Sequence, residues 1–213
     1  MSLVETDWLE KNISNVKIID CSWHMPQTKR NGFSEYEINH IPGSIFFDLD
    51  LNSKKDTELP HMLVEVDDWK DIVSKMGIKN SDEIIIYDNS DVLSACRCWF
   101  NFIYFGHDPK LVHVLNGGFE KWNAENKKVT SELPNIETSN YDCHEKKELV
   151  KDKSLIDQNI DEQKFRIIDA RNKERFQGKI PEPRKGLRSS NIKNSFCIPF
   201  DECLNENKTF KNK

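Results

Sequence analysis

Cysteine is the residue type here with the most chemistry to offer, and six are present: Cys21, Cys96, Cys98, Cys143, Cys197 and Cys203. A thiol with an ordinary pKa of about 8.5 becomes a nucleophilic thiolate at neutral pH only beside cations, a helix N-terminus or a metal. Cys96-x-Cys98 has the spacing of metal ligands, but the chain lacks the second, regularly spaced Cys/His pair that a zinc site needs. The expectation is thiols packed on a helix, with no metal or other cofactor. The remaining candidates read blandly when taken alone. His61, in Leu59-Pro60-His61-Met62, is an ordinary loop histidine, and His40, His107 and His113 are structural. Arg175 and Arg184 are loop arginines whose guanidinium forks either make surface pairs or clasp a carboxylate bidentately.

These side chains must be positioned by strands and helices, and the order of those elements is legible. Val16-Lys17-Ile18-Ile19-Asp20 is a short apolar run ending in an acid, and Phe165-Arg166-Ile167-Ile168-Asp169 repeats it 149 residues later. Asn39-His40-Ile41-Pro42-Gly43-Ser44-Ile45-Phe46 is answered at an offset of 151 by Ser190-Asn191-Ile192-Lys193-Asn194-Ser195-Phe196-Cys197. Two matches in the same order at nearly one offset indicate a duplicated domain. The first copy continues with a helix over Asp67 to Met76 closed by Gly77, and a strand over Glu83 to Tyr87. Next come a loop from Asp88 to Leu93 and a helix to Phe105 with Ser94 as its N-cap, stopped by Gly106. A strand over Leu111 to Leu115 and a helix from Phe119 to Asn126 complete it. Strands alternating with helices give an α/β fold, a parallel sheet with helices on both faces.

The expected organisation is one complete domain over 1–126, a polar linker over 127–151 leading into a helix near Leu149 to Ile160, and the N-terminal half of a second domain over 152–213. The middle of the second sheet and the loop after its central strand are expected to be absent from these residues. A formal net charge of −5 disfavours nucleic acid. No apolar run approaches the ~20 residues of a membrane span, and the first residues lack a signal-peptide pattern, so the expected place is the cytoplasm, with the cysteines reduced.

The segments are specific enough to carry a resemblance. His40-Ile41-Pro42-Gly43-Ser44, Ile86-Tyr87-Asp88, Ala95-x-Arg97-x-Trp99, Phe105-Gly106-His107 and Leu115-Asn116-Gly117-Gly118-Phe119-x-x-Trp122 together resemble the N-terminal domain of the tandem rhodanese family. Asp169-Ala170-Arg171, Arg175-Phe176-Gln177-Gly178 and Pro181-Glu182-Pro183-Arg184-x-Gly186 resemble the opening of that family's C-terminal domain. The resemblance implies a sulfurtransferase of the 3-mercaptopyruvate or thiosulfate type, working through a cysteine persulfide. The reactive cysteine belongs to the C-terminal domain; its counterpart in the first copy is Asp88, and a carboxylate cannot become a persulfide. The resemblance also makes Arg175 and Arg184 the holders of the substrate anion, with Arg184 favouring mercaptopyruvate. Asp48 and His61 become a supporting proton relay at the domain interface. Implied partners are a small anionic sulfur donor and a thiol acceptor, either a thioredoxin-like protein or a small thiol, or cyanide.

Two departures from the family pattern stand out. Asn194 replaces a turn glycine, which asparagine tolerates better than other residues, and Cys96 replaces a common proline. Asp88 lies 48 residues after His40, and the same interval after Asn191 puts the missing nucleophile near position 239. The 213 residues alone are therefore expected to be inactive. The alternative is a non-catalytic rhodanese-like module that binds an anion or a partner, and a cysteine-based phosphatase stands third.

Overall fold

The computed structural model describes residues 2–183 and 186–212. The chain divides into two compact units, Met1–Lys147 and Glu148–Lys213.

The first unit is built on a five-stranded sheet of β1 (Ser2–Val4), β2 (Lys17–Asp20), β3 (Ser44–Phe46), β4 (Ile84–Tyr87) and β5 (Val112–Leu115), in the order β1-β5-β4-β2-β3. Every pairing is parallel, so each pair of neighbours needs a crossover. Ile84, Ile85, Ile86 and Tyr87 are all fully buried, as expected of a central strand covered on both faces. Ile85 and Tyr87 face a cluster that includes Leu9 of α1 (Thr6–Asn12) and Trp122 of α5 (Gly118–Ala124). On the other side α3 (Val66–Lys75) and α4 (Ser94–Tyr104) contribute an aromatic stack. There Trp69 lies 4.9 Å from Phe105 at an interplanar angle of 13°, with Phe47 and Phe102 meeting it edge-on. From β2 the chain moves outward to β3, and from β4 it moves the other way to β5. The C-terminal ends of β2 and β4, where Asp20 pairs with Tyr87, therefore flank a topological switch point.

The segment expected as a linker, 127–151, is divided by the structure. Its first part packs onto the first unit as a strap: Thr130 exchanges backbone hydrogen bonds of 2.9 and 3.0 Å with His40, and the Ser139 N–H donates to the Ser74 carbonyl at 2.9 Å. Tyr141 is fully buried, stacked on His107 and hydrogen-bonded to its Nδ1 at 3.0 Å. Gly77, at φ +65°, lets the strap pass, because a Cβ there would meet the Glu137 carbonyl oxygen at 2.6 Å. Apolar periodicity could not reveal this strap, since scattered backbone and polar side-chain bonds, with Val129 and Tyr141 as apolar anchors, hold it. The following helix, α6 (Lys153–Glu162), starts later than expected, where the Asp152 side chain accepts from the Leu155 N–H at 2.9 Å.

In the second unit a two-stranded parallel ribbon pairs β6 (Ile168–Asp169) with β7 (Phe196–Cys197), and the short α7 (Lys173–Phe176) lies between them in sequence. Its local geometry matches the β2–β3 pair. Asp20 pairs with Phe46 and Asp169 with Cys197; Ser44 N–H donates to the Ile41 carbonyl at 3.0 Å, and Ser195 N–H to that of Ile192 at 3.1 Å. At the turn itself Gly43 has φ +78° and Asn194 φ +65°, so asparagine adopts the left-handed conformation at the glycine position. The burial differs sharply. Ile19, Ile45 and Phe47 are 0%, 8% and 0% exposed, whereas Ile168, Phe196 and Ile198, at the matching positions, are 59%, 56% and 46% exposed.

Amide exchange follows burial and packing. In the 213-residue chain, amides of Ile168 and Ile198 should exchange at least about tenfold faster than those of Ile19 and Phe47, because local opening of the ribbon exposes little further apolar surface. Equal protection in a monomer, read by hydrogen exchange and light scattering, would show that the second unit is covered in solution.

Candidate functional site

At the C-terminal end of β4 stands Asp88, buried and held on both oxygens. Its Oδ2 accepts from the Ala95 N–H at 2.6 Å and lies 3.3 Å from the Ser94 hydroxyl; its Oδ1 lies 3.5 Å from the Ser90 N–H. A carboxylate at a helix start satisfies orphan N–H groups and meets the positive end of the helix dipole. Ser94, expected as the N-cap, is instead the first helical residue. The N-cap is Leu93, in the left-handed conformation at φ 53°, and its side chain accepts nothing from the helix. The Ser94 hydroxyl turns inward and donates to the Cys21 carbonyl at 2.5 Å, so the capping falls to Asp88.

The polar groups around the switch point are mutually paired. Asn89 N–H donates to the Ser22 hydroxyl at 2.9 Å, and that hydroxyl donates to Asp20 Oδ1 at 2.5 Å. Arg30 makes a two-point contact of 2.7 Å to each oxygen of Glu35, which also accepts from Asn89 at 3.0 Å and lies 3.2 Å from His24. A cleft of about 340 Å³ beside them is lined by Asp20, Ser22, Arg30, Glu35, Asn89 and Phe119, among others. Burial raises the pKa of both Asp88 and Asp20, the latter to about 6. The site holds carboxylates where a sulfur carrier would need a thiolate.

Histidine chemistry is found on the loop after β3. His61 Nε2 lies 2.8 Å from Asp50 Oδ1, and Asp50 Oδ2 accepts from the Trp23 indole at 2.9 Å. Asp48, the residue expected to pair with His61, does not do so. Its Oδ1 accepts from the Leu51 N–H at 2.8 Å, and its carbonyl accepts from the Asn52 N–H at 3.0 Å, so it builds the turn that presents Asp50. In Asp48-Leu49-Asp50 the central leucine is buried, and the turn decides which carboxylate reaches the ring. Arg97, from α4, donates through its Nη2 to the His61 carbonyl. Sequence reasoning missed the roles of Asp50 and Trp23; the Asp-x-Asp alternation was the one available signal for the former.

The cysteines of the first unit are poor nucleophiles. Cys21 and Cys98 are fully buried, and burial raises the thiol pKa of Cys21, of Cys96 to about 12, and of Cys143. In the second unit Cys197 donates to the Arg171 carbonyl at 3.5 Å and Cys203 is exposed. Among the described residues no group of three or more His, Cys, Asp or Glu side chains is arranged to hold a metal ion. No helix there is long and apolar enough to cross a membrane.

Arg175, on α7, is engaged with Glu182, at 2.5 Å to Oε2 and 3.4 Å to Oε1. Arg171 joins them, donating to Glu182 at 2.7 Å and closing a two-point pair with Asp169. The arginines hold the Glu182 carboxyl below its usual pKa, with the Arg175 hydrogen bond the largest cause. This carboxylate sits on the guanidinium assigned above to the substrate anion. Arg184 lies outside the described residues.

Residues 5–125 match the family described as Rhodanese-like domain. The chain is 36% identical over 223 residues to thiosulfate/3-mercaptopyruvate sulfurtransferase 1, mitochondrial, of Arabidopsis thaliana, covering 94% of this chain and 58% of that protein. It is 34% identical to the 3-mercaptopyruvate sulfurtransferase of Mus musculus, covering 95% of this chain and 70% of the relative. The crystal structure of SseA from Escherichia coli, one of the 3-mercaptopyruvate sulfotransferases, superposes with a TM-score of 0.87 at 28% identity, over 100% of this chain and 80% of that one. The chain thus spans little more than half the length of the Arabidopsis relative and about two thirds of the mouse one.

The buried Asp20 makes stability depend on pH in a direction opposite to that of a salt-bridged carboxylate. Its pKa is raised from 3.8 to about 6, so the folded chain binds this proton more tightly than the unfolded one. Its contribution is most favourable below about pH 4 and is lost as pH rises through about 6, by up to about 3 kcal/mol. Asp20→Asn should therefore reduce the loss of stability between about pH 4.5 and 7 by about 2 kcal/mol relative to the wild type, measured by urea unfolding. Parallel pH profiles for the two proteins would show that Asp20 ionises in the fold as it does in water.

Proposed function

The chain belongs to the rhodanese-like domain family, and from that membership we propose that it serves a sulfurtransferase moving sulfane sulfur from 3-mercaptopyruvate or thiosulfate to a thiol or cyanide. The observation that carries this reading is Asp88. It occupies the end of the central strand in a chain whose relatives are named as sulfurtransferases, and it is committed to capping α4. The first unit is thus the non-catalytic member of a duplicated pair. The matched turns at Gly43 and Asn194 and the matched registers of β2–β3 and β6–β7 support the duplication. The persulfide cysteine stands beyond residue 213, in a longer protein.

In that protein the cysteine thiolate attacks the donor's outer sulfur. From thiosulfate the S–S bond breaks and sulfite leaves; from mercaptopyruvate the C–S bond breaks and the carbon takes up a proton as pyruvate forms. A second thiolate, on a thioredoxin-like protein or a small thiol, or cyanide then takes the outer sulfur and frees the cysteine. Arg175 and Arg184 bind the donor's anionic group, and His61, oriented by Asp50, moves the proton. The Asp48 and His61 relay of the family pattern becomes Asp50 and His61, with Asp48 shaping the turn. A cytoplasmic location belongs to the same proposal, beside a relative that carries a mitochondrial name. The engagement of Arg175 by Glu182 favours a second reading, a binding module without turnover.

The 213-residue chain should release no thiocyanate from thiosulfate and cyanide, and no pyruvate from mercaptopyruvate. Turnover abolished by Cys96→Ser or Cys98→Ser would place the chemistry on α4 instead. Where the coding sequence runs on, a cysteine followed by a short glycine-containing loop and an apolar helix should appear at roughly 233 to 241, allowing for loop-length differences. The extended protein should turn over mercaptopyruvate, and Arg184→Ala should raise KM about tenfold or more by removing a charged partner of the carboxylate. Asp, Ser or Gly in place of that cysteine would leave the binding module standing.

A further inference from the structure

We propose that Trp23 and Arg97 are positioning residues that hold His61 in one tautomer and one backbone conformation, Trp23 by fixing the Asp50 carboxylate and Arg97 by clamping the His61 carbonyl. The proposal rests on the relay reading of Asp50 and His61 and names what makes that pair competent.

The Asp50 side chain is 67% exposed and that of His61 20% exposed. An exposed ion pair gains little and does not by itself keep two side chains in one geometry. Here the carboxylate has a second anchor. Oδ1 faces His61 while Oδ2 receives the indole N–H of Trp23, so the group cannot rotate without losing one contact. The indole also packs against the imidazole, with centroids 4.8 Å apart at 86°. An ionised carboxylate only accepts hydrogen bonds, so the neutral ring carries its proton on Nε2 and keeps Nδ1 as the base.

His61 is held from its backbone as well. It has φ +55°, a left-handed conformation that is costly for a non-glycine residue and persists where neighbours enforce it. Arg97 supplies that enforcement by donating to the His61 carbonyl from α4. Both anchors trace back to the start of α4, because the Trp23 N–H donates to the Ser94 hydroxyl at 3.2 Å, Arg97 lies on the first turn of that helix, and Asp88 caps it through the Ala95 N–H. The carboxylate that replaces a nucleophile thus also steadies the frame on which Trp23 and Arg97 are mounted.

The test uses the ¹⁵N-labelled chain, at a pH where His61 is neutral. Ring-nitrogen shifts should report a predominant Nε2–H tautomer in the wild type. Trp23→Phe, which keeps a ring but deletes the donor, should raise the Nδ1–H population about fivefold, the loss of one hydrogen bond to a partly solvated carboxylate. Arg97→Met should abolish the left-handed signature of His61 in its backbone couplings while the Ile84–Tyr87 amide resonances stay in place. Should Trp23→Phe fail to fold, the wild-type indole N–H still answers: it should be protected from exchange and should move in Asp50→Asn, whose site is exposed. Wild-type ring shifts in Trp23→Phe, a retained left-handed His61 in Arg97→Met, or an indole resonance indifferent to Asp50→Asn would overturn the proposal. The relay reading fails separately, if Asp50→Asn leaves kcat and its pH profile unchanged in the extended protein.

Discussion

A carboxylate at the start of a helix organises the C-terminal edge of the first sheet. Asp88 receives the Ala95 amide, and its carbonyl receives the Phe119 amide at 2.9 Å, so one residue ties β4 to the beginnings of α4 and α5. Ser94, released from capping, bonds to the end of β2 through the Cys21 carbonyl. The two strands that flank the switch point are thereby joined through side chains as well as through the ladder. A thiolate at this position would leave the amides of the loop for an anionic ligand; the carboxylate takes them for the protein's own structure. The group that joins these elements is a carboxylate, which cannot itself carry a persulfide.

Acidic groups at this edge sort by their partners. Asp20 and Asp88 are buried with no cation among the described residues bonded to them, and burial dominates their raised pKa values. Glu35 is equally close to the crevice, but Arg30 and His24 offset its burial and its pKa falls. In the second unit Glu182 and Asp169 are lowered by the arginines that hold them. The contrast separates a crevice where burial favours the protonated carboxyl from a loop where paired arginines favour the charged one.

The two units also show how far the same local pattern depends on what surrounds it. Turn, register and strand-end geometry recur almost residue for residue, because they are set by backbone conformations a few residues long. Burial does not recur. Ile19 is covered by a β-strand on each side, whereas Ile168 has a single neighbouring strand. Local structure survives without its covering layers, and the exposed apolar side chains are the consequence.

Periodicity and punctuation in the sequence were enough to determine the parallel α/β architecture, the strands at Lys17–Asp20, Ile84–Tyr87 and Val112–Leu115, and the left-handed turn at Asn194. Each of these depends on residues adjacent along the chain, and that Asp88 cannot carry sulfur follows from side-chain chemistry once the resemblance places it at the nucleophile position. The tertiary structure decided the rest. Whether Asp48 or Asp50 meets His61 turns on a hydrogen bond to Leu51, and the cap of α4 lies six residues before the helix begins. The strap over 127–147 is held by backbone bonds to His40, Ser74, Tyr104 and Phe105, which no pattern of side chains announces. Contacts between residues distant in sequence depend on where the fold brings the chain back, and that is a property of the packed molecule.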